Sequence, residues 1–121
     1  MRPLVVVADD DPAVRRLVEI TVKNAGCDVV TAADGEEALG IISRMHPRLA
    51  ILDVSMPLRS GLEVGRAVRD GEGETAIIFL TSHAQEHDIL EGFLSGASDY
   101  LSKPFSPKEL QARLRAVLTR T

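Results

Sequence analysis

"VVVADDDPAVRR", residues 5–16, runs an apolar strand pattern straight into three consecutive aspartates. Charges of one sign repel one another, so three in a row at the end of a buried segment need a reason. Asp11 has a local one. It precedes Pro12 and a helical pattern, which makes it an N-cap with proline at the first helical position. Asp9 and Asp10 have no such explanation, and their place at a strand–helix junction sets the question for the rest of the chain.

Outward from this stretch, apolar runs alternate with helical patterns. The runs are "LVVVA" (4–8), "CDVVTA" (27–32), "LAILD" (49–53), "AIIFL" (76–80) and the shorter "DYLS" (99–102). Their Val, Ile and Leu content with little alternation predicts strands covered on both faces. Val14, Leu17, Val18, Thr21 and Ala25 give the first helix its apolar stripe, and Gly26 ends it. The second opens at Asp34, with Glu37 three residues later as a capping-box partner, and stops before Pro47. A shorter third helix covers 61–69, followed by an exposed "GEGE" loop (71–74). A fourth pattern spans 85–95, with Ile89, Leu90, Phe93 and Leu94 inward and Gly96 as its stop. The last helix starts with Ser106 as cap, Pro107 and Glu109, and carries Leu110, Leu114, Val117 and Leu118.

The chain has 121 residues, which fits a single domain (1–121) with a genuine core. Its 14 basic and 18 acidic residues give a net charge of −4, which argues against direct nucleic-acid binding. No signal peptide or membrane span is visible, and Cys27 is the only cysteine, so a thiolate metal site and an internal disulfide are excluded. Cys27 reads as a small apolar strand residue, and a cytoplasmic location is expected.

Strict β–α alternation implies right-handed crossovers and a parallel sheet between helical layers. All strand carboxyl ends then share one rim, where ligands bind at the point of order reversal. Asp9 and Asp10 follow strand one, Asp53 ends strand three, Thr81 follows strand four and Lys103 follows strand five. In the doubly wound order 2-1-3-4-5, strands one and three are neighbours about 5 Å apart. Three carboxylates then meet in one pocket, a set that suits a hard divalent cation such as Mg²⁺. A hydroxyl and an ammonium face the same space, both suited to phosphoryl oxygens. Singly, each residue has an ordinary reading: an aspartate caps a helix, a threonine begins a turn, a lysine is solvated. Together they carry matching chemistry on four of five strand ends.

With these residues in view, the chain resembles the receiver domain of two-component response regulators over essentially its whole length. The features that match are Asp9-Asp10, "DVSMPLRSG" (53–61) in the D-x-x-M-P-x-x-x-G pattern, "LTSHA" (80–84) and "GASDYLSKPF" (96–105). The resemblance implies the flavodoxin-like, CheY-like (βα)5 fold. It implies Asp53 as phosphoacceptor for the phosphohistidine of a sensor histidine kinase or phosphotransfer protein. Mg²⁺ would be bound by Asp10 and Asp53, by Asp9 through water and by the Ser55 backbone carbonyl. Lys103, before a cis Pro104, would bridge Asp53 and the phosphoryl group. Thr81 and Tyr100 would form the switch, with small Ser82 leaving the site open and the face of helix 85–95, strand five and the last helix addressing an output domain or partner. The loop after Pro57 departs from the common pattern in reading "LRS", and His83 is placed to influence hydrolysis of the acyl phosphate.

Two rivals are weaker. A flavodoxin-like mononucleotide binder needs a Ser/Thr/Gly-rich phosphate loop after strand one, where this chain has aspartates. A small Mg²⁺-dependent phosphohydrolase with an aspartate nucleophile needs a second acid–base aspartate two residues after Asp53, where Ser55 stands. "KPFSPKELQARLRAVL" further resembles receivers of winged-helix regulators, which dimerise through charge pairs. Asp99 and Arg120 match one such pair, but Glu109 and Arg113 would face uncharged Ile89 and Ser95. The expectation is therefore a monomer when unphosphorylated, with weak association on activation.

Overall fold

A computed structural model of the chain describes residues 2–71, 74–82 and 99–120. Within them the order is β1 (Leu4–Ala8), α1 (Pro12–Asn24), β2 (Asp28–Ala32), α2 (Gly35–Met45), β3 (Leu49–Asp53), α3 (Gly61–Asp70), β4 (Ala76–Thr81), β5 (Asp99–Ser102) and α4 (Pro107–Arg120). The strands form one five-stranded sheet in the order β2-β1-β3-β4-β5, and every adjacent pair is parallel. The helical pattern at 85–95, His83 and part of the "GEGE" loop lie outside the described residues.

Burial explains the missing alternation in the strand sequences. All residues of β3 and β4 are buried, because helices cover both faces. The edge strands β2 and β5 are only partly covered, and their sequences are correspondingly more polar. On one face Val5, Val7, Leu49, Ile51, Ile78 and Leu80 pack against Val18 and Val22 of α1 and Leu110, Leu114 and Val117 of α4. On the other, Val6, Ala8, Ala50, Leu52, Ile77 and Phe79 pack against Ala38, Ile41 and Ile42 of α2 and Val64 and Val68 of α3. Side chains thus leave the sheet to opposite faces with period two, and each set meets its own helix pair.

Local chemistry sets the helix starts. Asp11 caps α1 by accepting from the Ala13 and Val14 N–H groups, with Pro12 just inside. Asp34 caps α2 by accepting from the Glu37 N–H at 2.8 Å. The Glu37 carboxylate does not return to the cap residue as expected; it accepts from Ala33 N–H, one residue earlier, at 3.1 Å. The reciprocal capping box occurs instead at α3, between Ser60 and Glu63, and was not expected from the sequence. At α4 the Ser106 hydroxyl accepts from the Glu109 N–H, as its position suggested.

Three expectations shift. Cys27 is buried but sits one residue before β2, so it packs in the core without joining the ladder. Thr81 is the last residue of β4 rather than the first after it. Leu17, assigned to the inner stripe of α1, is 40% exposed, and Val22 takes the inward place.

Candidate functional site

The parallel register brings the polar strand ends together. Asp9 lies one residue beyond β1, and Asp53 is the last residue of β3. Lys103 lies one residue beyond β5, its N–H bonded to the Thr81 carbonyl at 2.7 Å, and the Lys103–Pro104 bond is cis. Alternation then divides this rim. Asp9 continues the parity of Val5 and Val7, Asp53 that of Leu49 and Ile51, and Lys103 that of Leu101, all on the α1/α4 face. Thr81 has the parity of Phe79, which pairs with Tyr100 in the β4–β5 register, on the α2/α3 face.

Carboxylate oxygens of Asp9, Asp10 and Asp53 lie within 4.8 Å of one another. Asp9 is fully buried, Asp53 nearly so, and Asp10 is exposed. One oxygen of Asp9, Oδ1, accepts from the Asp11 N–H at 2.9 Å. Its Oδ2 lies 3.0 Å from Lys103 Nζ, an electrostatic contact without hydrogen-bond geometry, so this buried atom lacks a directed donor. Asp53 Oδ2 is 3.5 Å from the same ammonium, and Oδ1 accepts a long bond from Ser55 N–H at 3.3 Å. Burial first, and the neighbouring Asp9 charge second, push the Asp53 carboxyl up to about 6; Lys103 and the Ser55 N–H pull the other way. For Lys103 burial opposes the charge, but Asp9 and Asp53 outweigh it and hold the ammonium above its ordinary value. One cation thus serves two buried carboxylates. The remaining negative charge, the undirected Asp9 oxygen and the all-oxygen donor set suit a hard divalent cation.

The loop from β3 to α3 is tied back to the end of β3 and to the start of α2. Val54 N–H bonds to Leu80 O, and Gly61 N–H returns to Val54 O, each at 2.9 Å. A side chain at Gly61 would run into the Asp53 carbonyl, and one at Gly35 into the Arg59 carbonyl, so both glycines are required by close approach. Arg59 then pairs with Glu36 of α2 at 2.7 Å. From α1, Arg15 donates to the Asp9 carbonyl oxygen at 2.8 Å and fixes the backbone of the acidic turn. Gly61 is the closing glycine of the D-x-x-M-P-x-x-x-G pattern, whereas Arg15, Gly35 and Ser60 were not singled out from the sequence as parts of this site. Arg15 gives no sequence signal, whereas Ser60-x-x-Glu63 is a readable one.

Of the residues singled out, Asp9, Asp10, Asp53 and Lys103 converge. Thr81 is buried at the rim, and Tyr100 is half-buried against the α2/α3-side core. Ser82 lines an apolar pocket of about 410 Å³ with Val14, Leu17, Lys103, Pro104 and Phe105. Asp99 accepts from Arg113 of its own chain through both oxygens, at 3.2 and 3.0 Å. His83, Ile89 and Ser95 lie outside the described residues.

Comparison with known proteins agrees with this arrangement. The family model for the response regulator receiver domain matches residues 5–115. The chain is 47% identical over 116 residues to a probable transcriptional regulator, ycf27, of Porphyridium aerugineum, covering 96% of this chain and 48% of that protein. It is 39% identical over 121 residues to the alkaline phosphatase synthesis transcriptional regulatory protein PhoP of Bacillus subtilis, covering 100% of this chain and 50% of that one. The chain thus spans about half the length of these curated relatives. Among solved structures, the chemotaxis response regulator CheY4 of Vibrio cholerae superposes with a TM-score of 0.87 at 36% identity, covering 97% of this chain and 99% of that one. Sheet order, matched segment and identity lead to one conclusion: the chain belongs to the response regulator receiver domains of two-component systems.

Proposed function

We propose that residues 1–121 form one receiver domain working as a phosphorylation-activated switch in the cytoplasm, with Asp53 as phosphoacceptor. The observation that carries this reading is the meeting of Asp9, Asp10 and Asp53 oxygens within 4.8 Å, with Lys103 Nζ 3.0 Å from Asp9 and 3.5 Å from Asp53. A carboxylate Oδ of Asp53 attacks the phosphorus of a phosphohistidine on a sensor kinase or phosphotransfer protein. The O–P bond forms, the P–N bond breaks, and the electron pair leaves on the imidazole nitrogen; the ring is then neutral if its other nitrogen carries a proton, and otherwise takes one from solvent. Lys103, already between two carboxylates, offsets charge on the entering phosphoryl oxygens.

The donor set fits Mg²⁺, with Asp10, Asp53 and the Ser55 carbonyl as direct ligands and Asp9 acting through water. When bound, Mg²⁺ would offset the repulsion between the attacking carboxylate and the phosphoryl group. Asp9 keeps its orientation through the Asp11 N–H, and Arg15 holds its backbone. Thr81, at the end of β4, hydrogen-bonds the new phosphoryl oxygens, and Tyr100, its neighbour on the same sheet face, moves inward in response. That shift alters the surface around β5 and α4, which an output domain or partner reads. The domain stores a phosphoryl group rather than turning over an external substrate.

Incubation with acetyl phosphate and Mg²⁺, followed by intact-mass measurement, tests this reading. One phosphoryl group is expected on the wild type and none on Asp53→Asn, because an amide is not a nucleophile. Equal labelling of the variant would move the acceptor elsewhere. Steady release of phosphate from excess acetyl phosphate at enzyme-like rates would favour a phosphohydrolase.

A further inference from the structure

Leu58 occupies the tip of the β3–α3 loop in a conformation that leucine avoids. Its φ is +68°, and across it the Arg59 N–H bonds to the Pro57 carbonyl at 2.7 Å. An i to i+2 bond with positive φ is the rare and strained form of the γ-turn. Yet the Leu58 side chain is 74% exposed, well above any other large apolar residue found exposed in the described structure. The backbone needs this turn. It lets the loop settle on Gly35, deliver Arg59 to Glu36 and place Ser60 as the cap of α3. Glycine or asparagine would make the same turn at little cost. A leucine here adds strain and leaves apolar surface in water, and nothing among the described residues accounts for it. Strain retained beside a reactive group points to a role outside the fold.

We propose that Leu58 is a contact residue for the protein that donates the phosphoryl group, an apolar anchor that a small donor does not use. The inference rests on the reading of Asp53 as phosphoacceptor. Asp53 is 5% exposed, and the loop that carries Leu58 leaves from it and returns to its carbonyl at Gly61, so a protein donor that reaches Asp53 meets this loop. The other border is apolar as well, with Leu17 40% exposed and the pocket lined by Val14, Pro104 and Phe105. A molecule the size of acetyl phosphate leaves both borders in water. A folded donor with its phosphohistidine at Asp53 covers them together, and its own apolar surface takes up the Leu58 side chain.

The test uses Leu58→Asn, which keeps the turn and removes the apolar group, and Leu58→Met, which keeps the apolar group. Each is labelled with acetyl phosphate and Mg²⁺. Each is also labelled by the catalytic regions of the source organism's sensor kinases, autophosphorylated with labelled ATP, using whichever transfers fastest to the wild type. Expected are acetyl phosphate rates within about twofold for all three proteins. From the kinase, kcat/KM for Leu58→Asn falls about ten- to a hundredfold, chiefly through KM, while Leu58→Met stays near wild type. Equal loss with both donors, no loss with the kinase, or no kinase transferring to a wild type that acetyl phosphate labels at Asp53 would each overturn the proposal. A melting temperature for Leu58→Asn more than about 4 °C below wild type would also overturn it, by making Leu58 structural. If acetyl phosphate labels nothing, the reading of Asp53 fails first, and this inference fails with it.

Discussion

The two ends of the parallel sheet carry cavities of similar size and unlike chemistry. At the amino ends of the strands, Leu39, Ile42, Ser43, His46, Ala67, Val68, Gly71 and Thr75 surround about 360 Å³. Thr75 in its lining donates to the Pro47 carbonyl at 2.7 Å, and nearby Arg48 reaches the Leu118 carbonyl at 3.2 Å. At the carboxyl ends a pocket of about 410 Å³ is lined in part by Lys103, the residue that pairs with Asp9 and Asp53. Among the described residues the buried polar side chains are Asp9, Thr21, Asp53 and Thr81, and only Thr21 lies away from this rim. Thr21 is accounted for by its bond to the Leu17 carbonyl at 2.8 Å. Volume therefore does not distinguish the two ends. Uncompensated charge does, because buried carboxylates with one shared cation gain from an added positive ligand, and a satisfied polar rim does not.

Adding Mg²⁺ makes the sharpest contrast. If the carboxyl rim holds the ion, a concentration one hundred times Kd stabilises the fold by about 2.7 kcal/mol. Thermal melts with and without Mg²⁺ measure this. The shift should vanish in Asp10→Ala and shrink less in Asp9→Ala, since Asp9 is buried and already engaged by Asp11 N–H and Lys103. The reverse order would exchange the roles assigned to the two aspartates, and no shift in the wild type would erase the contrast between the two ends.

A smaller effect follows from the Asp53 carboxyl, raised to about 6 from its ordinary 3.8. A folded-state value above the unfolded one means that folding favours the protonated acid. The stabilisation is complete below about pH 4 and is lost as pH rises through about 6. In metal-free buffer Asp53→Asn should then be more stable than wild type near pH 7.5, by on the order of 2 kcal/mol, with the advantage disappearing by pH 4. Denaturant titrations at the two pH values check the sign. An advantage that is independent of pH would mean that charge repulsion is not its source.

The smallest expected change is at the other end. Ser43 is exposed on α2 beside the amino-end cavity. Ser43→Ala should alter stability by less than about 0.5 kcal/mol and leave acetyl phosphate labelling unchanged. A labelling defect would show that the two ends are coupled and would break the comparison.

Much of this molecule is legible in its chain. The β–α alternation, the uninterrupted apolar runs of the central strands and the caps at Asp11, Asp34 and Ser106 are local signals, and each produced the element it indicated. The positions of Asp9, Asp53, Thr81 and Lys103 at strand ends are sequence facts too, and parallel topology alone places them on one rim. Other features required three dimensions. That Lys103 sits nearer Asp9 than Asp53 depends on how the β5–α4 segment crosses the sheet edge. The pairing of Asp99 with Arg113 depends on the packing of α4 beside β5. Leu58 reads in sequence only as an apolar residue in a loop, because a positive φ is set by where Gly35, Glu36 and Ser60 hold its neighbours. Periodicity and capping act over a few residues and can be read from their order, whereas distances between charges and the sign of one loop dihedral are fixed by contacts among segments far apart in the chain.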